Sequence, residues 1–316
     1  MALMQMGSPN LQVFADTLLD LGKEHLDLYV VTGDSRGSGK LVGFGNQLPD
    51  QIVEVGIAEQ NLVGISAGLA STGKLVFAVS PASFLTARSL EQIKNDVAYS
   101  DQPVRLIGIS AGVSYGALGS THHSLHDYAA LLAINNIDIV APADNFETRE
   151  VIRAVVDYPR PIYIRFGKKP MLDLYNGNAT FKIGKANTLL TGTDVTFIAT
   201  GEPVSRARMA ADILEERGIS TGVISMHTLR PFDKAAVFQA AKKSRVIITV
   251  EEHSVYGGLG GLCASLLMQQ GLCVPLKIVG IPDEYTVSGS QEEIFTHYGI
   301  SPEGLANTAE QVLRNS

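Results

Sequence analysis

Short runs of apolar, β-forming residues recur along this chain, and stretches with the spacing of amphipathic helices lie between most of them. The runs are apolar throughout, which is typical of strands buried on both faces of a parallel sheet. In order they are Leu28 to Val31, Ile52 to Val55, Leu75 to Val79, Val104 to Ile109, Ile137 to Val140, Ile162 to Ile164, Val195 to Ala199, Gly222 to Ser225, Val246 to Val250 and Leu276 to Val279. The pattern predicts an α/β fold of doubly wound layers, in which helices cover each sheet.

A polar stretch interrupts this alternation between Lys169 and Asn187. It contains Tyr175-Asn176-Gly177-Asn178 and shows no strong period, which is typical of a linker. A chain of 316 residues also exceeds the usual length of one domain. We therefore expect one α/β domain over residues 1–175 and a second, smaller one over residues 185–316.

Charge and cysteine content exclude several classes of function. The net charge of -7 provides no basic field for polyanions, so nucleic acid is not an expected partner. Cys263 and Cys273 make neither a disulfide framework nor a metal site, which favours a reduced, cytoplasmic protein. Met1 to Asn10 show no basic-then-apolar leader, and no run is long enough to span a bilayer, so we expect no membrane partner.

One segment places a carboxylate where it can be shielded from water. Val53 to Asn61 leaves a predicted strand and enters a helix, with Glu59 in the first turn. The following turns carry small residues that let another backbone approach closely, namely Gly64, Ser66, Ala67, Gly68 and Ala70. A glutamate in a first helical turn is ordinarily a solvated partner of the helix dipole, so this position alone indicates no chemistry.

A second segment, Gly116 to Asp127, contains three of the seven histidines, His122, His123 and His126. This spacing suggests zinc, but no cysteine or second liganding cluster accompanies them, so we expect no metal site here. Polar turns such as Gly33-Asp34-Ser35 end several predicted strands. In open α/β sheets ligands bind at the carboxyl ends of the strands, although each turn taken singly is simply a strand terminator.

Four segments together resemble the pyrimidine-binding domain of transketolases. Val55 to Asn61 (Val-Gly-Ile-Ala-Glu-Gln-Asn) resembles its signature, Ser83 to Ile93 its aromatic segment, Gly116 to Asp127 its substrate-histidine loop, and Ile137 to Asp144 the strand that follows. From about residue 11 onward the chain is similar to the last two domains of transketolase, which some organisms encode as a separate subunit. The resemblance implies a thiamine diphosphate pyrimidine-binding fold followed by a transketolase C-terminal-domain-like fold.

The resemblance assigns cofactor roles to three residues. Glu59 matches the glutamate that shares a proton with N1′ of the aminopyrimidine of thiamine diphosphate, and a carboxyl group held away from water suits that exchange. Phe84 matches the aromatic residue that stacks on the pyrimidine, and Asp34 matches an aspartate near the positively charged thiazolium. Without the resemblance, Phe84 would be a core residue and Asp34 a turn-capping aspartate.

Three residues are assigned by the same resemblance to the sugar substrate. His122 matches the histidine that contacts the hydroxyls of the donor ketose, with proton transfer as a further role. Ser38 and Lys168 match a serine and an arginine that hold the substrate phosphate. Lysine offers a point charge in place of the bidentate guanidinium fork.

Four positions depart from the family pattern. Leu118 stands where an aspartate reads a donor hydroxyl, and leucine cannot accept that hydrogen bond. Leu11 and Ser110 replace an arginine and a histidine of the phosphate grip, and Pro81 replaces a second aromatic residue of the cofactor segment. We therefore expect an atypical sugar, for example a non-phosphorylated or sulfonated one.

The family also holds the diphosphate and Mg²⁺ with a Gly-Asp-Gly motif, to which Gly33-Asp34-Ser35 is the nearest match. This match lacks the second glycine, so we expect the metal ligands on a partner chain, the N-terminal diphosphate-binding subunit. Because the family's active sites lie between subunits, the resemblance implies an α2β2 heterotetramer.

Three functions remain open from the sequence. The first is the β-type subunit of a thiamine diphosphate-dependent transketolase, a glycolaldehyde transferase that moves a two-carbon ketol unit between sugars. The second is the β subunit of a 2-oxoacid dehydrogenase or a decarboxylating synthase, which shares the two-domain layout and the glutamate. The third is a non-catalytic assembly subunit, suggested by the four departures. The Gly116 to His122 loop favours the first, and the presence of Glu59 and Phe84 opposes the third.

Overall fold

Two large β-sheets with flanking helices, together with one two-stranded sheet, carry the strands of the described residues. The structure is a computed structural model that describes residues 5–175 and 179–315. The first half contains β1 (Met6–Pro9), α1 (Asn10–Glu24), β2 (Leu28–Thr32), α2 (Val42–Gln47), β3 (Ile52–Glu54), α3 (Glu59–Ser71), β4 (Leu75–Pro81), α4 (Ala82–Arg88), α5 (Leu90–Gln92), β5 (Arg105–Ile109), α6 (Asp127–Leu132), β6 (Asp138–Val140), α7 (Asn145–Ala154), β7 (Ile162–Arg165) and β8 (Pro170–Leu172).

The second half repeats the alternation of strands and helices. It contains β9 (Asn187–Leu190), β10 (Val195–Ala199), α8 (Pro203–Glu216), β11 (Thr221–Ser225), β12 (Thr228–Arg230), α9 (Lys234–Lys243), β13 (Val246–Ser254), α10 (Leu259–Gln269), β14 (Leu276–Ile281), α11 (Gln291–His297) and α12 (Pro302–Arg314). In the described part of the chain, no helix has both the length and the apolar character that crossing a bilayer requires.

The larger sheet has seven strands in the order β12-β6-β7-β5-β4-β2-β3. All neighbours from β6 to β3 pair in parallel, whereas β12 pairs antiparallel with β6. Every residue of β4, β5 and β7 is buried, as the continuous apolar runs predict. The predicted α/β class with parallel sheets is confirmed. One edge strand, β12, nevertheless comes from the second half of the sequence.

The smaller sheet has five strands in the order β14-β13-β10-β11-β9. Its four pairings include one antiparallel pair, that of β9 with β11. Hydrophobic clusters join the two halves, and one of them contains Tyr163 of β7 together with Ile198 of β10 and Ile224 of β11. The two sheets are therefore packed through a shared apolar interface.

The predicted linker contains a strand that the sequence pattern did not indicate. Within Lys169 to Asn187, β8 pairs antiparallel with β1, so that Met6 lies opposite Leu172. The sequence pattern predicted a linker here and did not indicate this strand, because Pro170–Leu172 contains no continuous run of buried apolar residues. Asn176, Gly177 and Asn178, on which the linker prediction also rested, lie outside the described residues, as do residues 1–4.

Candidate active site

The carboxyl ends of β2, β3 and β4 meet at one edge of the larger sheet. Thr32 at the end of β2 lies in register with Glu54 on one side and Val79 on the other. The turn after β2 carries Asp34, the helix after β3 begins at Glu59, and the helix after β4 carries Phe84. Three predicted cofactor residues, distant in sequence, therefore share one edge, as expected for a ligand site in an open α/β sheet.

Glu59 is buried, with 4% of its surface exposed. Its Oε2 accepts a hydrogen bond of 2.6 Å from Nη1 of Arg88, a half-exposed residue on α4. The guanidinium carbon of Arg88 lies 5.3 Å from the centroid of the half-buried Phe84 ring. Glu59 is thus not the solvated helix-dipole partner that is usual at this position. The structure holds it against a flat cation that stands over an aromatic ring.

The loop between β5 and α6, residues 112–126, is called the histidine loop below. Within it, the His122 ring meets Phe84 edge-on at 5.4 Å between centroids and meets Tyr115 edge-on at 5.5 Å. Lys168, just after β7, places Nζ 4.6 Å from the centroid of the Tyr115 ring. One continuous series of contacts therefore joins two of the three predicted cofactor residues, Glu59 and Phe84, to two of the predicted substrate residues.

The other two histidines of this loop face different neighbours. His123 is buried between the Thr286 hydroxyl at 2.7 Å and the Gly116 carbonyl at 2.9 Å, and burial is the main cause that lowers its pKa. His126 Nε2 lies 3.2 Å from the Thr86 hydroxyl. Across residues 5–175 and 179–315, no group of three His, Cys, Asp or Glu side chains is arranged to hold a metal ion.

Asp34 and Ser38 lie on the exposed turn that follows β2. Asp34 adopts a left-handed backbone, with φ of 51°, and its N–H donates to Oε1 of Glu54 at 2.6 Å. The Ser38 hydroxyl donates to the Ser35 carbonyl at 3.1 Å. Both residues are at the correct sheet edge. Among the hydrogen bonds and ring contacts of the described residues, neither side chain joins the series from Glu59 to Lys168.

The four positions that depart from the family pattern differ in their exposure to solvent. Leu11 and Ser110 are 2% and 0% exposed, so neither side chain can reach a ligand in solution. Pro81 ends β4 and is also buried. Leu118, by contrast, is 56% exposed on a short 3₁₀ turn of the histidine loop. An apolar side chain thus stands at the surface of the loop that carries His122.

A buried ionic network lies beneath the end of the histidine loop. Arg165 donates from Nε to Oδ2 of Asp127 at 2.9 Å, and its Nη2 donates to the carbonyls of Ser124 at 3.1 Å and Glu252 at 2.7 Å. Arg165 is 5% exposed and Asp127 is 0% exposed. The network joins β7, the start of α6 and β13, so it ties the loop to both halves of the chain.

Sequence reasoning missed Arg88, Tyr115 and this network. Arg88 follows Phe84 by four residues on a helix, a spacing that places two side chains side by side, so a signal was present. Tyr115 directly precedes the loop segment that resembles the family. Arg165 and Asp127 are 38 residues apart and on different elements, and no local pattern pairs them.

Comparison with known proteins agrees with the resemblance. The family models described as "Transketolase, pyrimidine binding domain" and "Transketolase, C-terminal domain" match residues 9–171 and 184–305. The chain is 50% identical over 297 residues to a subunit of the apulose-4-phosphate transketolase of Phocaeicola vulgatus, covering 94% of this chain and 95% of that protein. It is 31% identical over 299 residues to 6-deoxy-6-sulfo-D-fructose transketolase subunit SqwH of Clostridium sp., covering 95% and 92%.

A solved structure supports the same assignment. A split gene transketolase, described as an inactive beta4 tetramer, superposes with a TM-score of 0.88 at 30% identity, and the match covers 98% of this chain and 99% of that one. The chain therefore belongs to the transketolase family, in which it corresponds to the pyrimidine-binding and C-terminal domains as a β-type subunit of a transketolase-like enzyme.

Proposed function

We propose that this subunit acts in a thiamine diphosphate-dependent transketolase, a glycolaldehyde transferase that becomes active with an N-terminal, diphosphate-binding partner subunit. The observation that carries the proposal is the series of contacts from buried Glu59 through Arg88, Phe84 and His122 toward Lys168. We propose residues 1–175 as the pyrimidine-binding domain and residues 185–316 as the C-terminal domain.

The edge of the larger sheet fits the aminopyrimidine of the coenzyme. Glu59 and Phe84 already accept a flat hydrogen-bond donor between them, because the Arg88 guanidinium pairs with the carboxylate and stands over the ring. An aminopyrimidine offers the same planar face, and its N1′ would share a proton with the Glu59 carboxyl where the guanidinium now donates. When bound, the coenzyme supplies the nucleophilic carbon that receives the two-carbon unit of the donor ketose.

In this proposal each residue has one task. Glu59 holds and returns a proton at its carboxylate opposite N1′, in a setting from which water is largely excluded. Phe84 supports the pyrimidine face, and Asp34 offsets the positive charge of the thiazolium. His122 binds the hydroxyls of the sugar next to the cofactor and can relay a proton there.

The charge and polarity around His122 indicate the kind of sugar. Lys168 is exposed and cationic, which suits an anionic substituent such as a phosphate or a sulfonate, and Ser38 adds a hydroxyl donor. Leu118 presents an apolar side chain where the family reads a hydroxyl. We propose an atypical sugar, in line with the names of the two relatives, which specify apulose 4-phosphate and 6-deoxy-6-sulfo-D-fructose.

The partner subunit would complete the site. We propose that it holds the diphosphate and Mg²⁺, that the assembly is an α2β2 heterotetramer, and that it works in the cytoplasm, where the free thiols of Cys263 and Cys273 stay reduced. The solved relative is described as inactive when it forms a beta4 tetramer, which supports the need for a second kind of chain.

The test uses this chain purified together with the N-terminal subunit. Glu59→Gln keeps the shape of the side chain but cannot exchange the proton, so turnover should fall roughly 10²- to 10⁴-fold. Glu91→Gln, which alters an exposed glutamate nearby, serves as the matched control and should retain full activity. Near-normal activity of Glu59→Gln would refute the assigned role.

The same assay separates the competing functions. A panel of ketoses, including apulose 4-phosphate and 6-deoxy-6-sulfo-D-fructose, is offered with an aldose acceptor. Parallel reactions contain a 2-oxoacid such as pyruvate, and CO₂ is measured in both. Consumption of ketose without CO₂ supports ketol transfer. Release of CO₂ from a 2-oxoacid would favour the dehydrogenase or decarboxylating synthase, and a stable complex without any turnover would favour an assembly subunit.

A further inference from the structure

The histidine loop has little regular structure of its own. Between residues 112 and 126 it contains one 3₁₀ turn, Gly116–Leu118, and one isolated bridge in which the Ser124 N–H donates to the Gly112 carbonyl at 2.8 Å. Within the loop, the His122 N–H also donates to the Gly119 carbonyl at 2.9 Å, the Thr121 hydroxyl lies 3.0 Å from Nδ1 of His122, and Tyr115 meets the ring edge-on. These contacts relate the ring to its neighbours in the loop but do not fix the loop against the rest of the chain. The position of the ring relative to Phe84 therefore depends also on contacts that the loop makes with the rest of the chain.

Thr286, in the segment that follows β14, provides such contacts from the second half of the chain. Its hydroxyl oxygen lies 2.7 Å from Nδ1 of His123 and 3.0 Å from Oγ of Ser120. Its backbone N–H also donates to Ser120 Oγ at 3.1 Å. Thr286 and His123 are both buried, so water cannot readily replace these bonds. One threonine thus contacts the loop on both sides of His122.

The direction of each hydrogen bond follows from the Gly116 carbonyl. A carbonyl can only accept, so Nε2 of His123, at 2.9 Å from it, carries the proton. The lowered pKa of His123, caused mainly by burial, fits a neutral ring whose Nδ1 is an acceptor. The Thr286 hydroxyl therefore donates to Nδ1, and the Ser120 hydroxyl donates to Thr286. Each of these hydrogen bonds therefore has one donor and one acceptor that the chemistry fixes. Together they join Gly116, Ser120, His123 and Thr286.

Other groups of the second half hold the two ends of the loop. Oε1 of Glu252 accepts a hydrogen bond of 2.9 Å from the Val113 N–H, and the Ser254 N–H donates to the Leu125 carbonyl at 3.1 Å. At Gly116, a Cβ atom would lie 2.7 Å from the Gly289 carbonyl oxygen, so only glycine permits this approach. The loop is held at one end by the Glu252 carboxylate, at the other by the Ser254 backbone, and at its centre by the Thr286 side chain.

We propose that Thr286 is a positioning residue for the sugar site. Through Ser120 and His123, its hydroxyl keeps the His122 ring against Phe84 and Tyr115, so the second half of the chain sets the geometry of the pocket. The link to sugar binding rests on the proposed function, because it assigns His122 to the substrate. The structural part of the inference does not, since it concerns only the order of the loop.

The first test measures the loop in the purified full-length chain. Thr286→Val removes the hydroxyl and keeps the shape, so amide hydrogen exchange in residues 116–124 should become about tenfold faster. Thr286→Ser restores the hydroxyl and should exchange like the wild type, and Thr296→Val, at an exposed threonine of α11, is the matched control. Ser120→Ala should give the same acceleration as Thr286→Val. Unchanged exchange in both variants would overturn the inference.

The second test uses the assembled enzyme. In Thr286→Val, kcat/KM for the donor sugar should fall about tenfold, while the Kd for thiamine diphosphate, measured by fluorescence quenching, stays within about twofold of wild type. Thr286→Ser should recover the lost activity. A donor kcat/KM that remains normal despite faster exchange would overturn the positioning role and leave the proposed function intact. An inactive wild-type pair would instead count against the proposed function, and the exchange measurement would then decide the role of Thr286.

Discussion

Replacement of Arg165 by methionine is the perturbation whose cost the structure defines best. The guanidinium donates to Asp127 Oδ2 at 2.9 Å, to the Tyr128 hydroxyl at 2.9 Å and to two backbone carbonyls at 3.1 and 2.7 Å. It also stacks 4.5 Å from the centroid of the Tyr128 ring. Methionine has a similar length and can fill the space, but it leaves every one of these acceptors without the cation.

The expected loss of stability follows from the burial of Asp127. That residue is 0% exposed, and its other carboxylate oxygen, Oδ1, has no hydrogen-bond partner among the described residues. Removing one member of a buried ion pair leaves an uncompensated charge, which costs about 3–5 kcal/mol. We expect Arg165→Met to lower the free energy of unfolding by that amount, measured by urea denaturation followed by circular dichroism.

A second arginine provides the matched control. Arg245 pairs with Asp194 at 3.4 Å, and both side chains are partly exposed, at 60% and 29%. Because water screens such a pair and can solvate the carboxylate that is left, Arg245→Met should cost only about 1 kcal/mol. In the double variant Arg165→Met with Asp127→Asn, the loss should be smaller than the sum of the two single losses by about 2 kcal/mol. Equal losses for the two arginine variants, or additive losses in the cycle, would refute the reasoning.

Two further predictions follow from burial. A thiol reagent should label only Cys273 in the native chain and both cysteines after unfolding. The reason is that Cys263 is fully buried and burial raises the pKa of its thiol. Rapid labelling of both cysteines in the native chain would contradict this. Burial lowers the pKa of His227 to about 4, so between pH 6.5 and 4 the unfolded chain binds this proton and the native chain does not. The free energy of unfolding should therefore fall as the pH falls through that range. His227→Phe should reduce the slope of this free energy against pH by up to about 1.4 kcal/mol per pH unit. Urea titrations at several pH values measure that slope, and an unchanged slope in the variant would contradict the prediction.

The regular elements could be predicted because their signals are local. The run Leu75 to Val79 became the buried strand β4, and α8 lies between the predicted strands Val195 to Ala199 and Gly222 to Ser225, where helical spacing was expected. Period and burial are properties of a few consecutive residues, so a sequence displays them directly. β8 and β12 escaped prediction because neither contains a continuous run of buried apolar residues, and each exists only through its pairing with a distant strand.

The candidate site was predicted only in part, for the same reason. Glu59, Phe84 and His122 lie within continuous segments that resemble the family, and their neighbours in the sequence identified them. Arg88 was missed although its helical spacing from Phe84 was visible. The pairing of Arg165 with Asp127 had no local signal, because it joins a strand to a helix start across 38 residues.

The sequence by itself determined the α/β class, the family and the sheet edge at which Asp34, Glu59 and Phe84 would lie. Each of these rests on a local pattern, together with the rule that parallel strands end at one edge. Only the tertiary structure decided which cation pairs with Glu59, which groups hold the histidine loop, and that Thr286 reaches a histidine 163 residues away. Contacts of this kind depend on the packing of one sheet against the other, and no stretch of consecutive residues contains that information.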